Sequence, residues 1–191
     1  TQIPIITSMP GKSAIDERHP LSLGAANKTA PKGVWEWLNS SDVLFAIGAS
    51  LTKTSFGINI PAGKTLIHST VNSEDIDKEY TTDIGLVGDA QKTLCMLVDE
   101  IKAEIGEEGR KSDSATREAV AEVKKEWMTD WSDLLNSTMD PINPYRLVNE
   151  INKAVDHENT IVTHDAGHPR DQVMPFYTAT VPHSYVGWGK S

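Results

Sequence analysis

The densest group of chemistry-bearing residues is His164-Asp165-Ala166-Gly167-His168. Two imidazoles and a carboxylate so close together raise the possibility of a metal site, which needs at least three converging ligands. The run Thr160–Thr163 just before it reads as a strand. Neighbours at a strand end point to opposite faces, so His164 and Asp165 diverge, leaving one or two ligands. A metal hydrolase centred on His164, Asp165 and His168 is therefore one hypothesis, and an ordinary strand-to-helix loop is the plain alternative. A second candidate is Gly48-Ala49-Ser50, directly behind the apolar run Val43–Ile47. A buried strand entering a small-residue turn is how open parallel sheets present a ligand crevice, but Gly48 can equally serve only to turn the chain. Asp89 stands at the head of an apolar helical pattern and reads as a helix cap. His19, His68 and His183 each stand alone and read as structural or exposed. Cys95 is the single cysteine, which excludes an internal disulfide, and its helical setting reads as a small buried apolar group.

These residues are positioned by an alternation of short apolar runs and helical patterns. Strands are expected at about Pro4–Thr7, at Val43–Ile47, at Thr65–Val71 and at Ile84–Val87. Val43–Ile47, apolar throughout, is expected to be an interior strand. Lys12–Leu23 reads as loop, because His19 before Pro20 favours extended backbone. Pro31–Asn39 reads as a helix with Val34, Trp35 and Leu38 on one face and Trp37 off it. Ser73 is expected to cap a short helix, and Asp89 a long one carrying Leu94, Leu97, Val98, Ile101 and Ile105 inward. Gly106–Ser114 reads as a charged linker. Ala115–Leu135 reads as one helix with the stripe Val120, Val123, Trp127, Trp131 and Leu134. Asn143 and Pro144 open a helix with Leu147, Val148, Ile151 and Val155 inward. A helix from about Pro169 to Phe176 and a strand with its turn at Pro182–Trp188 complete the chain. Strands alternating with helices predict an α/β layered, parallel sheet.

The 191 residues suit one ordinary domain or two small ones. The net charge of −9 is spread along the chain with no basic stripe, which argues against nucleic acid and anionic membranes as partners. No apolar run approaches the ~20 residues that span a bilayer. A reduced, cytoplasmic setting is expected from the cysteine usage. The chain starts at Thr1 and stops in Tyr185–Ser191, a strand entering a glycine turn, so both ends are expected to be cut.

Seven segments, in order and spacing, carry a resemblance. They are PIITSMPGKSAIDERHPLSLG, SDVLFAIGASL, KTLIHSTVNSEDIDK and DIGLVGDAQKTL within 4–105, then INPYRLVNEINKAV, TIVTHDAGHPRDQ and PHSYVGWGKS within 140–191. The chain resembles thiamine-diphosphate-dependent enzymes of the acetolactate synthase and pyruvate oxidase type. The resemblance implies a truncated Rossmann-like central domain at 1–105, a linker and helix at 106–139, and the first βα elements of a C-terminal diphosphate-binding domain at 140–191. It implies a parent enzyme that uses thiamine diphosphate and Mg2+ to decarboxylate a 2-oxo acid and pass the product on, acting as a lyase or transferase on a small-molecule substrate.

In that family the turn after the corresponding strand places backbone N–H groups and a polar side chain on the cofactor diphosphate. The matching positions are Asp165, Ala166, Gly167 and His168, expected to be cofactor-binding; no catalytic residue and no metal ligand is expected within 1–191. A glycine turn opening a helix suits an anion. Gly88-Asp89-Ala90 imitates the family's metal motif but keeps its helix-cap reading. Flavin-binding members differ from this chain at Asn27-Lys28-Thr29-Ala30, Gly48-Ala49-Ser50 and Thr70, so FAD is not expected. The leading expectation is a fragment inactive by itself, with no cofactor held tightly and with self-association as a homo-oligomer. The alternative is a non-catalytic nucleotide-binding module on the 1–105 sheet.

Overall fold

The computed structural model describes every residue except Phe56, 111–113 and 188–191. Part of the expected linker, and Trp188 at the end of the last expected strand and turn, lie outside the described residues. Two compact units form: Trp37–Asp113 with Thr1, and Gln2–Glu36 with Ser114–Ser191.

The first unit is a parallel three-stranded sheet in the order β3-β4-β5, with β3 at Val43–Ile47, β4 at Thr65–Thr70 and β5 at Ile84–Val87. The helix α2, Ala90–Ile105, follows and packs mainly on β4. The strands stand where the sequence puts them, but the interior one is β4. Val43–Ile47 is an edge strand of this sheet, and Val43 is 49% exposed. An apolar run reports affinity for a core; which strand is paired on both sides is a matter of topology. On β4, Leu66, His68, Ser69 and Thr70 are all buried, and the His68 ring meets the Ala49 carbonyl through Nε2 at 2.7 Å. The stripe expected to face inward on α2 is largely exposed, with Leu94, Val98 and Ile105 in solvent and Leu97 and Ile101 half-buried. Cys95 is exposed as well, which corrects its reading as a buried group. Asn72, not Ser73, caps the short 3-10 turn at Ser73–Asp75.

The second unit joins a parallel pair, β1 (Ile5–Ser8) with β2 (Ser22–Ala26), to α3 (Ser114–Asp130), α4 (Ser132–Leu135), α5 (Pro144–Ala154), β6 (Val162–His164), α6 (His168–Phe176) and β7 (Tyr185–Gly187). Strand β7 pairs with β6 in parallel, Val162 opposite Tyr185 and His164 opposite Gly187. Strand β2 starts in the expected loop Lys12–Leu23, at Ser22, and continues past it to Ala26, where no strand was expected. Its residues, SLGAA, are small and carry little strand propensity. They are a strand because Ser22, Leu23 and Ala25 are buried beneath α3 and α6.

The helix α1, Lys32–Ser40, keeps Val34 and Leu38 buried, but Trp35 is the exposed tryptophan and Trp37 the half-buried one, the reverse of the expected pair. The helix expected over Ala115–Leu135 breaks at Trp131, whose backbone departs to φ −96°, ψ 0°. The break advances the register, so Leu135 is buried and Leu134 exposed. On α5 only Val148 is fully buried, with Leu147 and Ile151 exposed. Two of the hydrophobic clusters in this unit pack around α6. One joins Ala25, Met174, Tyr177, Ala179 and Tyr185. The other joins Leu135, Val148 and Phe176 with the rings of Trp127, Trp131 and Tyr145, Trp131 lying 5.0 Å from Phe176 and 5.1 Å from Trp127 between centroids.

Candidate functional site

Strand β6 delivers the chain to the segment the sequence singled out. His164 ends the strand, Asp165 and Ala166 form the turn, and Gly167 is the residue preceding α6. Gly167 has φ +79°, ψ −140°, a conformation that a side chain strongly disfavours. Among the described residues nothing stands within 4 Å of the place where its Cβ would be. Asp165, Gly167 and His168 are exposed. The Asp165 carboxylate accepts from the Ala166 amide at 2.7 Å. The first helical bond runs from Asp171 N–H to the Gly167 carbonyl at 3.1 Å. No side chain caps α6. The His168 amide therefore stands at the positive end of the helix with no partner from within it, and Pro169 contributes no donor. The arrangement offers an exposed, uncapped helix start with an open face over a glycine, geometry suited to an anion of phosphate type.

Behind the turn the polar groups are buried. His164 is 7% exposed and its Nδ1 lies 2.8 Å from the Asp165 carbonyl. Arg170, also buried, donates through Nε and Nη2 to Asp171 Oδ1, both at 2.8 Å. His164, Asp165 and His168 thus adjoin without converging: His164 turns inward while the other two face solvent. Among the described residues no three His, Cys, Asp or Glu side chains gather as metal ligands.

The other predicted positions lie in the first unit and on the Asn27–Ala30 loop. Gly48 takes φ +64°, and its amide donates to the Ser69 carbonyl at 2.9 Å. That donor belongs to the sheet, and no helix opens behind it. Asp89 caps α2, its carboxylate accepting from the Lys92 amide at 3.0 Å. Asn27 organises its loop through Oδ1, which accepts from the Thr29 amide and hydroxyl. Lys28 and Thr29 help line a pocket of about 280 Å³ walled by Trp127, Trp131, Tyr145 and Phe176. Of the isolated histidines, His19 accepts from the Leu21 amide and is exposed, as is His183.

Sequence reasoning missed one polar centre altogether. In the second unit Lys12 Nζ lies 2.6 Å from both carboxylate oxygens of Glu17, and both residues are buried. Glu17 also accepts from the Ala179 amide at 2.8 Å, and Lys124 donates to the Glu17 and Ser22 carbonyls. The Lys12 ammonium sits 5.3 Å from the Tyr185 ring centroid. Desolvation, only partly offset by Glu17, holds the Lys12 pKa below its ordinary value. A lysine and a glutamate five apart in an aperiodic loop carry no sequence signal of burial.

A sequence model described as the central domain of thiamine pyrophosphate enzymes matches residues 1–97, just over half the chain. A probable acetolactate synthase large subunit of Methanococcus aeolicus is 26% identical over 98% of this chain and 32% of its own length. Its counterpart in Methanocaldococcus jannaschii is 30% identical with the same two shares. A pyruvate oxidase of Lactiplantibacillus plantarum is 26% identical over 80% of this chain and 24% of its own. The chain spans about a third of the length of these acetolactate synthase relatives. Parallel strands with helical connections and a match over residues 1–97 place the chain in the thiamine pyrophosphate enzyme family, as a member carrying its central domain.

Proposed function

We propose that this chain works as part of a larger thiamine-diphosphate enzyme of the acetolactate synthase type, with 1–105 its central-domain share and 140–191 the start of its diphosphate-binding domain. The chain's span of about a third of its relatives supports this reading. The observation that carries the site is the uncapped start of α6 behind Gly167, open to solvent. The Gly167 and His168 amides would hold the cofactor diphosphate, with Asp165 keeping the Ala166 amide satisfied and the turn in shape. When bound, the thiamine ring supplies the carbanion chemistry for decarboxylating a 2-oxo acid and joining the product to an acceptor. This chain's own share is to bind and orient the anionic end, and the resemblance points to another domain for the ring. Mg2+ would be held by residues elsewhere, as a lyase or transferase of this type requires, in a cytoplasmic homo-oligomer.

The test is titration of the 191-residue chain with inorganic pyrophosphate and with thiamine diphosphate, followed by amide NMR shifts. Weak binding localised to Gly167 and His168, without turnover of 2-oxo acids, is expected. Shifts elsewhere in the chain with none at this turn would overturn the assignment of the site, and micromolar cofactor affinity would overturn the partial role.

A further inference from the structure

His164 has a more specific position than a buried strand residue requires. Its ring is fixed on three sides. Nδ1 lies 2.8 Å from the Asp165 carbonyl, the bond at the entry to the turn. The ring packs 5.3 Å from that of Tyr185, on the neighbouring strand. Nε2 is buried, has no hydrogen-bond partner among the described residues, and faces Gly187, where a Cβ would come within 2.9 Å of it. A carbonyl oxygen only accepts, so Nδ1 must carry the proton. In the neutral ring Nε2 is then a bare acceptor. It rests against Gly187, which stands directly opposite His164 in the β6–β7 pair.

We propose that His164, held in its Nδ1–H form, is the positioning residue of the Asp165–His168 turn, and that Gly187 lacks a side chain to make room for it. The inference rests on the reading of that turn as an anion site for its functional meaning, though its geometry stands apart from any ligand. The ring reaches the turn by one bond, at the Asp165 carbonyl, which shares a rigid peptide plane with the Ala166 amide at the entry to the turn. The backbone of Gly167 sits in a glycine-only conformation with no side-chain cap; besides the His164 bond, the turn is held by the Ala166 amide on the Asp165 carboxylate and by the Asp171 amide on the Gly167 carbonyl. His164 touches neither the exposed face of the turn nor an anion placed there; it acts through the Asp165 peptide.

Two side chains separate the ring nitrogens as functions. Asparagine sets an amide nitrogen near the place of Nδ1, and glutamine sets one near Nε2. The first readout is the tautomer of His164 in the unliganded chain, from its ring 15N shifts. The second is the backbone order parameter of Ala166 and Gly167, near 0.85 for rigid backbone and below about 0.6 for a mobile one. His164→Asn should keep the turn rigid, while His164→Gln and Gly187→Ala should loosen it. In the His164→Asn background Gly187→Ala should have no further effect, because the atom it strikes is gone. An Nε2–H tautomer, or equal behaviour of the asparagine and glutamine variants, would overturn the proposal. If the glutamine variant fails to fold, the wild-type tautomer and the Gly187→Ala coupling still decide it. All of this is measured without ligand, so a failure here is separate from a failure of pyrophosphate to bind at Gly167 and His168.

Discussion

Glu17→Gln is the most informative single change, because it removes a charge and almost no volume. In the folded second unit Lys12 is 3% exposed and Glu17 is its carboxylate partner, with both oxygens 2.6 Å from Nζ. The glutamine keeps an oxygen for the Ala179 amide, so that backbone donor stays paired. What it leaves is a buried cation with no counter-charge. Breaking a buried pair in this way costs about 3–5 kcal/mol, most of it the penalty on the remaining ion. At 1.4 kcal/mol per decade, that is a loss of two to three and a half decades, roughly, in the folding constant. The assay is urea unfolding read by the fluorescence of Trp127 and Trp131, which lie in the same unit. The sign of the pH dependence follows from Lys12. Its pKa is lowered in the fold, so between that pKa and the ordinary 10.5 the unfolded chain binds more protons and this group's contribution to stability rises with pH. The deficit of Glu17→Gln should therefore shrink on the alkaline side as Lys12 sheds its proton. Adding Lys12→Met should restore most of the loss, since a neutral pair needs no counter-charge. A loss below about 1 kcal/mol for Glu17→Gln, or no recovery in the double variant, would refute the burial argument.

Tyr185→Phe should be neutral or slightly stabilising at pH 7, within about 1 kcal/mol, because the buried hydroxyl has no hydrogen-bond partner among the described residues. Burial first, and then the Glu17 charge, push the Tyr185 pKa well above 10, so the folded form keeps its proton where the unfolded form loses it. Stability should fall as pH rises past 10 in the wild type, and the phenylalanine variant should lack that share of the fall; thermal unfolding from pH 8 to 11 checks it. Leu135→Ala should cost about 2–5 kcal/mol and Leu134→Ala under about 1 kcal/mol by chemical denaturation, since only Leu135 is buried past the Trp131 break. Asp89→Ala should destabilise the first unit by about 1 kcal/mol through loss of the α2 cap, and Asp89→Asn should recover most of it. Far-UV circular dichroism during denaturation reads this change, and equal losses for both substitutions would argue against the cap.

Local signals carried the local structure. The runs at Val43–Ile47 and Ile84–Val87 are strands with the bounds their residues suggested, and Asp89 and Asn143 cap the helices behind them. Caps and short apolar runs are decided within a few residues, where backbone donors and side-chain acceptors meet regardless of the rest of the chain. The ordered set of segments also led to the family. In the second unit the sequence located the Asp165–His168 turn by its glycine and its place behind a strand, but could not show that His164 turns inward to bond the Asp165 carbonyl.

Tertiary structure alone decided the rest, wherever a residue's state depends on partners far away in the chain. Pairing on both sides made β4, with its His68 and Ser69, the interior strand of the first sheet in place of the more apolar Val43–Ile47. Coverage by α3 and α6 turned the weak SLGAA segment into β2. A backbone break at Trp131 exchanged Leu134 for Leu135 in the core. The Lys12–Glu17 pair is buried because the Ala179 and Tyr185 segments close over it, more than 160 residues along the chain. Periodicity records which side chains favour a core; the long-range contacts determine which of them reach it, and which charges are enclosed with them.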